Sequence, residues 1–278
     1  MADAFAYCAD IVRTTDRDRF VASLFAPAER RGALHALYAF NSEVARVREA
    51  ARASLAGEMR LQWWSEVVAG ERNEEARASP IATALLATVD RYRFGTQKLL
   101  ALIEERRFDL YDEPMAGLAE LDVYASATSS ALFALAARIL AGSGHEEATE
   151  PAGKAYAITA LLRAFPQHIA RRQLYLPADL LQRHDVSLHD LFAGKSSAAL
   201  AAALAEMRGV ARRYLDAARE PIAAMSREAH AALLPLAPVR ASLDRLEHGD
   251  PFAPSEIAPW RRQWLIWRAA RNPARIVA

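Results

Sequence analysis

Four basic side chains, Arg163, His168, Arg171 and Arg172, stand within a few helical turns of one another in the stretch GKAYAITALLRAFPQHIARRQLYLP. Guanidinium forks grip phosphate oxygens in bidentate fashion, so such a cluster could hold an anion directly. The plainer alternative is a solvated basic helix face. Asp109 and Asp112, spaced i, i+3, resemble a carboxylate pair. With Arg106 and Arg107 beside them they read more simply as salt-bridged. His184 and His189 flank Asp185 and Asp190, but five-residue histidine spacing with no third ligand is weak for zinc. We read them as surface residues. Cys8, the single cysteine, excludes an internal disulfide, fits a reducing compartment and reads as a small core residue. There is no Gly-rich phosphate loop, no zinc spacing, no nucleophile elbow and no repeat.

The elements that must position these groups are helices. The chain of 278 residues is rich in Ala, Leu, Arg and Glu, and Val, Ile and Thr never cluster in alternating runs. A length of this order permits a sizeable core, and no shift in composition demands a second domain, so residues 1–278 are read as one all-α domain. A net charge of +1 gives no global bias toward nucleic acid. Short helices are expected over 3–13 and 19–25. A long one follows over 27–52, with Leu34, Leu37, Tyr38, Val44 and Val47 at helical spacing. Residues 58–70 form another, whose tryptophans Trp63 and Trp64 belong to the core. Residues 71–79 read as a loop, and 81–94 as a helix with Gly95 as its C-terminal cap.

Residues 118–140 read as a long apolar helix, and the small residues Ala125 to Ala131 would let a neighbouring backbone approach closely. Pro151 is expected to open the helix that carries the basic stretch. Pro166 is expected to break it near Leu162 to Ala164. The last helix, PWRRQWLIWRAAR, places Trp260, Trp264 and Trp267 at i, i+4, i+7. Tryptophan with arginine suits a bilayer interface. It also suits a closing helix whose Trp face enters the core, which is the expectation here. No apolar run is long enough and charge-free enough to predict a membrane span. The N-terminus resembles neither a secretory signal nor a transit peptide. The expected location is cytoplasmic, with peripheral contact to the inner membrane.

Two segments resemble the squalene/phytoene synthase family over nearly the whole chain, from about Tyr7 to Arg271. Gly153, Thr159, Arg163, Tyr175, Leu176 and Pro177 fit the pattern G-x-A-x-Q-L-T-N-x-x-R-D-x-x-E-D-x-x-x-G-R-x-Y-L-P. Pro27, Arg31, Tyr38, Ala39, Phe40 and Val44 fit L-P-x-x-x-R-x-x-x-x-x-x-Y-A-F-x-R-x-V-D-D-x-x-D. In that family, paired aspartates hold Mg²⁺ ions that bind a prenyl diphosphate. Here those positions are Ala45 and Glu49 in one segment, with Arg46 and Arg48 beside them, and Ala164 and His168 in the other. Mg²⁺ takes oxygen ligands, usually carboxylates with substrate phosphate, and a methyl group and an imidazole cannot replace them.

The resemblance is nearer still to the degenerate branch that contains mitochondrial complex I (NADH dehydrogenase) assembly factor 6. The shared features are Tyr7 to Arg13, Ala39 to Asn41, Glu43 to Val47, Met59 to Trp64 and Leu162 to Arg172. It implies the isoprenoid-synthase fold, antiparallel helices around a central cavity. It also implies a non-catalytic protein of a bacterial relative that assists assembly of respiratory complex I. The expected partners are a complex subunit or assembly intermediate and an isoprenoid or other lipid, with membrane contact through Trp260, Trp264 and Trp267 and no nucleic acid. No catalytic residue, metal or cofactor is expected. An anion or ligand in the old cavity would meet Arg31, Tyr38, Arg46, Arg48, Arg163, His168, Arg171, Arg172 and Tyr175. The alternative is an active prenyltransferase on prenyl diphosphates, which would require Mg²⁺.

Overall fold

A computed structural model describes residues 2–50 and 54–278. The described residues form helices and connecting turns, with no strand. The centre is the continuous rod Leu118–Ala141, whose most apolar window is 78% buried. By length and composition alone this rod could cross a membrane. Its burial, and the charges Glu120, Asp122 and Arg138 along it, mark it as a core helix.

Around the rod lie Glu146–Arg163, which packs on it and on Ala198–Ala217, and Ala28–Ala45, which packs on Ala2–Thr15 and Pro80–Tyr92. The apolar periodicity predicts a buried face, and Leu34, Leu37, Tyr38 and Val44 are all buried; Leu200, Leu204 and Met207 are buried as well. Cys8 has no exposed surface, and burial pushes its thiol up to about 12. Trp64 stands edge-on to Phe40 at 5.1 Å.

Within the rod, Ser126–Ser130 is wound as a π-helical turn. Such turns put an extra residue into a helix and are used where the helix must adjust to a close neighbour or a site. Here the neighbour is Gly153. A Cβ added there would lie 2.2 Å from the Ser130 Cα and 2.3 Å from its nitrogen. The Ser130 hydroxyl donates across the same contact to the Glu150 carbonyl at 2.7 Å. The close approach expected from the small residues is therefore real, and Gly153 is its other half.

Several local expectations fail for physical reasons. Residues 73–78 are helical (Asn73–Ala78), not loop: Glu74 and Glu75 occupy the first turn, where the helix dipole favours acids, and Arg72 and Arg77 pair with them. Gly95 is not the cap of Pro80–Tyr92; Arg93 takes the left-handed position at φ 48°. Pro151 lies inside Glu146–Arg163 rather than opening it. The final helix, Pro259–Arg271, turns Ile266 and Ala269 inward, while Trp260, Trp264 and Trp267 are 71%, 44% and 41% exposed. The expectation that the Trp face enters the core is thus overturned. An i, i+4, i+7 stripe shows which residues share a face and not which way that face points.

Two histidines, His35 buried and His168 partly buried, set an acid limit. His35 bonds Ser23 through Nε2 at 2.8 Å and stacks on Phe20. His168 stacks on Tyr175 with ring centroids 4.4 Å apart. Burial, helped by Arg31 for His35 and by Arg171 for His168, lowers both from 6.5 to about 4. Both rings are neutral in the fold, while the unfolded chain takes up these protons near pH 6.5. Their contribution to stability is whole above that pH and is lost as pH falls toward 4. The melting temperature should fall steadily from pH 7 to 4.5, and a His35→Gln, His168→Gln variant should show a shallower slope. An equal slope would exclude these two groups.

Candidate functional site

Both segments that would carry metal ligands sit at helix ends. Ala28–Ala45 stops at Ala45, Arg46 forms a turn, and Val47–Ala50 follows. Glu146–Arg163 stops at Arg163; Ala164 breaks it, and Pro166 occupies the first turn of the next short helix, Phe165–Ala170. Proline is welcome there because its missing N–H needs no partner. The break falls where Pro166 predicts it.

These two ends face one another, and an ion pair joins them. Glu49 accepts from Arg171 Nη1 at 2.9 Å and from Arg46 Nε at 3.3 Å. These hydrogen bonds, that to Arg171 first, hold the Glu49 carboxyl below its usual range. A carboxylate already held by two guanidiniums is a poor metal ligand. Ala45 and Ala164 bring no donor atom. His168 lies against Tyr175 rather than toward an open site. Among the described residues no group of three or more His, Cys, Asp or Glu could hold a metal ion. The donors present do not fit Mg²⁺.

Behind this mouth lies a closed polar network. Asp109, 5% exposed, accepts from Arg106 Nη1 at 3.0 Å, Tyr124 Oη at 2.9 Å and Tyr175 Oη at 2.7 Å. Arg106 is largely buried; burial opposes its charge, but Tyr124 and Asp109 outweigh it and raise its pKa. Burial and Asp109 likewise raise the Tyr175 phenol. Arg48 donates to the carbonyls of Asp109 and Tyr111 at 3.2 and 3.1 Å and to Asp112 Oδ1 at 2.6 Å. Asp109 thus pairs with Arg106 as expected, whereas Asp112 pairs with Arg48. Arg107 turns to Glu58 and Glu104.

Arg163 points another way. Its Nη2 meets both oxygens of Glu256 at 2.9 Å. Arg262 pairs with Asp18 and lies 3.8 Å from Glu256. Arg19 is buried within 5.7 Å of the ring centres of Tyr38, Phe133 and Tyr156, with Asp16 at 2.5 Å. Arg19 Nε, Arg163 Nε and Arg262 Nη1 are buried without a hydrogen-bond partner. Sequence reasoning missed Arg19, Glu256 and Arg262. Arg19 sits in an alternating acid–base run, which looks like solvated surface, and no local signal marks it as buried. Asp16 does cap the following helix, accepting from the Arg19 N–H at 3.1 Å.

The candidate residues therefore do not form one site. Arg48 and His168 gather at Asp109 with Tyr175, Arg46 and Arg171 gather at Glu49, and Tyr38 faces Arg19. Arg31 is elsewhere, bonded to the carbonyls of Ala26 and Leu24. Arg172 is exposed over Phe192 at 5.8 Å. The space among Leu162, Phe165, His168, Gln173 and Tyr175 is a void of about 10 Å³, and beside Arg163 about 20 Å³. That is room for a water molecule, whereas ligand pockets run to several hundred Å³.

The family model for squalene/phytoene synthase matches residues 12–268. The chain belongs to the squalene/phytoene synthase family. Within it, the chain resembles NADH dehydrogenase (ubiquinone) complex I, assembly factor 6. The rat protein is 30% identical over 250 residues, spanning 89% of this chain and 75% of its own. The human protein is 34% identical over 186 residues, spanning 66% of this chain but only 56% of its own. A phytoene synthase of Thermus thermophilus is 27% identical, with 95% and 93% covered. A crystal structure of a dehydrosqualene synthase in complex with ligand superposes with a TM-score of 0.81 at 17% identity, covering 97% of this chain and 96% of that one. The isoprenoid-synthase fold of the squalene/phytoene synthases is thus the fold of this chain.

Proposed function

We propose that this chain is a non-catalytic member of its family that assists the assembly of respiratory complex I. The observation that carries the proposal is the Glu49–Arg171 pair between Ala45 and Ala164, at the place where a synthase would need paired carboxylates. Stabilising a departing diphosphate requires metal or equivalent positive charge free to meet it, and here Arg171 is spent on Glu49. The similarity to complex I assembly factor 6 supports the role and the expected partner, a complex subunit or assembly intermediate. Location in the cytoplasm of a bacterium, peripheral to the inner membrane through Trp260, Trp264 and Trp267, belongs to the same proposal. A strain lacking the chain should lose NADH:ubiquinone activity severalfold, with the other respiratory activities kept. Unchanged complex I activity would overturn the reading.

A ligand is a finer part of the proposal. Arg163 and Arg262 hold Glu256, an exposed carboxylate, and an anionic group or a lipid headgroup could take its place. Glu256→Gln should then tighten binding of pyrophosphate, and Arg163→Ala should abolish it, by calorimetry. The second reading, an active prenyltransferase, rests on the family and on phytoene synthase relatives. It is tested by pyrophosphate release from farnesyl and geranylgeranyl diphosphate with Mg²⁺ or Mn²⁺. We expect none, and metal-dependent turnover would replace the first reading with the second.

A further inference from the structure

The outward face of the last helix is unlike the rest of the surface. Trp260, Trp264, Trp267 and Arg271 follow at i, i+4, i+7 and i+11, one stripe directed to solvent. Arg268 lies 4.5 Å from the Trp264 ring centre and Arg271 3.9 Å from that of Trp267, so each ring carries a guanidinium on its face. Pro259–Arg271 contains no acid.

The stripe does not end with its helix. Arg17–Ser23 packs against Pro259–Arg271, and just beyond it Leu24 and Phe25 are 47% and 43% exposed. An open groove of about 720 Å³ runs between them and Arg271, with Arg31 and Arg227 on its walls and Glu228 as its acid. Arg31, Arg227, Arg261, Arg268, Arg271 and Arg275 each lack a carboxylate within 4.0 Å among the described residues. Elsewhere some arginines, such as Arg48, Arg106, Arg163 and Arg212, are paired, while others, such as Arg91, Arg172 and Arg245, are not. Three exposed tryptophans, Leu24 and Phe25 thus share this face with Arg31, Arg227, Arg268 and Arg271.

We infer that this side seats on the headgroup layer of an anionic bilayer, with Pro259–Arg271 lying in the membrane plane. The inference rests on the peripheral-contact part of the proposed function and names its chemistry. Tryptophan is at home at the depth of the headgroups, apolar body inward and indole N–H toward water. The guanidinium held on Trp264, and that on Trp267, arrives at the phosphates when the ring enters. Leu24 and Phe25 add a second apolar point, so that contact is made along a line and a corner rather than at a single helix. The Arg31–Arg227–Arg271 groove between them suits a lipid phosphate, which takes bidentate hydrogen bonds from arginine. The excess of arginine over acid, with Glu228 among the groove's residues against Arg31, Arg227 and Arg271, argues for a phosphate surface, since a protein partner would need to present a matching acidic face.

The test is sedimentation of the full chain with vesicles of phosphatidylcholine alone and of phosphatidylcholine with phosphatidylglycerol, while Trp emission is followed. The expected result is binding to the anionic vesicles, weakened by salt, with a blue shift in emission. Trp264→Ser with Trp267→Ser, and separately Arg227→Glu with Arg271→Glu, should each weaken it by roughly tenfold or more, as expected for groups working at a charged surface. These side chains are exposed, and circular dichroism would show both variants folded. Equal binding to the two kinds of vesicle, no binding, or binding untouched by the variants would overturn the inference. So would a dimer in light scattering that the tryptophan variant makes monomeric, since the face would then belong to a second copy. None of these results bears on complex I activity in the deletion strain, so the two readings fail separately.

Discussion

Asp109→Ala should unfold the protein or bring it close to unfolding at room temperature. The carboxylate is the common acceptor of Arg106, Tyr124 and Tyr175. Removing it leaves a largely buried guanidinium without its counter-charge and two phenols without their acceptor. Breaking a buried pair from one side costs about 3–5 kcal/mol, against a total stability of about 5–15 kcal/mol for a domain. Asp109→Asn keeps an acceptor oxygen and should cost less, although it still leaves Arg106 uncompensated. Urea unfolding of the two variants decides it. If Asp109→Ala moved the midpoint no more than an average surface substitution, the network would be ornamental, and the wall behind the Glu49–Arg171 mouth would need another explanation.

Gly153→Ala is the second large effect. A methyl group there would stand 2.2 Å from a backbone atom of Ser130, not from the end of a flexible side chain. Two helices at the centre of the molecule must part to admit it, and the Ser130–Glu150 hydrogen bond must stretch with them. Overpacking a core by a single methyl typically costs about 1–3 kcal/mol. Here rigid backbone blocks relaxation, so the upper end is expected, and Gly153→Val should fail to fold. Shortening the opposite partner does not help, because the obstruction includes Ser130 Cα and N. A Ser130→Gly, Gly153→Ala double variant should therefore recover little of the lost melting temperature.

How far the sequence carries the argument differs from residue to residue. The helices follow from apolar spacing, because burying one stripe of a helix is what holds it in place. Leu34, Leu37 and Val44 are found where their period puts them. Ala45 and Ala164 were legible as losses because a methyl group has no lone pair wherever it lies. What could not be read is whatever depends on two distant segments meeting. Glu49 finds Arg171 across 122 positions, Arg163 finds Glu256 across 93, and Asp18 finds Arg262 across 244. A basic cluster in sequence looked like one anion site, yet Arg171, Arg163 and Arg172 diverge to three places. The orientation of the tryptophan stripe was open for the same reason, since Ile266 and Ala269 win the inward position only against elements that lie far off in the chain.

The Glu49–Arg171 contact also bears on what this chain can become. A path back to metal chemistry would have to place several carboxylates at once. Ala45→Asp alone sets a second negative charge near Glu49 with no ion to share it, and Ala164→Asp or His168→Asp alone adds an acid that competes for the arginines already in use. Removing Arg171 first frees Glu49 but leaves a lone acid with no cation to bind. Each first step weakens the structure and gains no catalysis, so selection has nothing to hold on to. On the proposed non-catalytic reading, a molecule whose two helix ends are joined by its own Glu49–Arg171 pair would not depend on the supply of magnesium or of prenyl diphosphate.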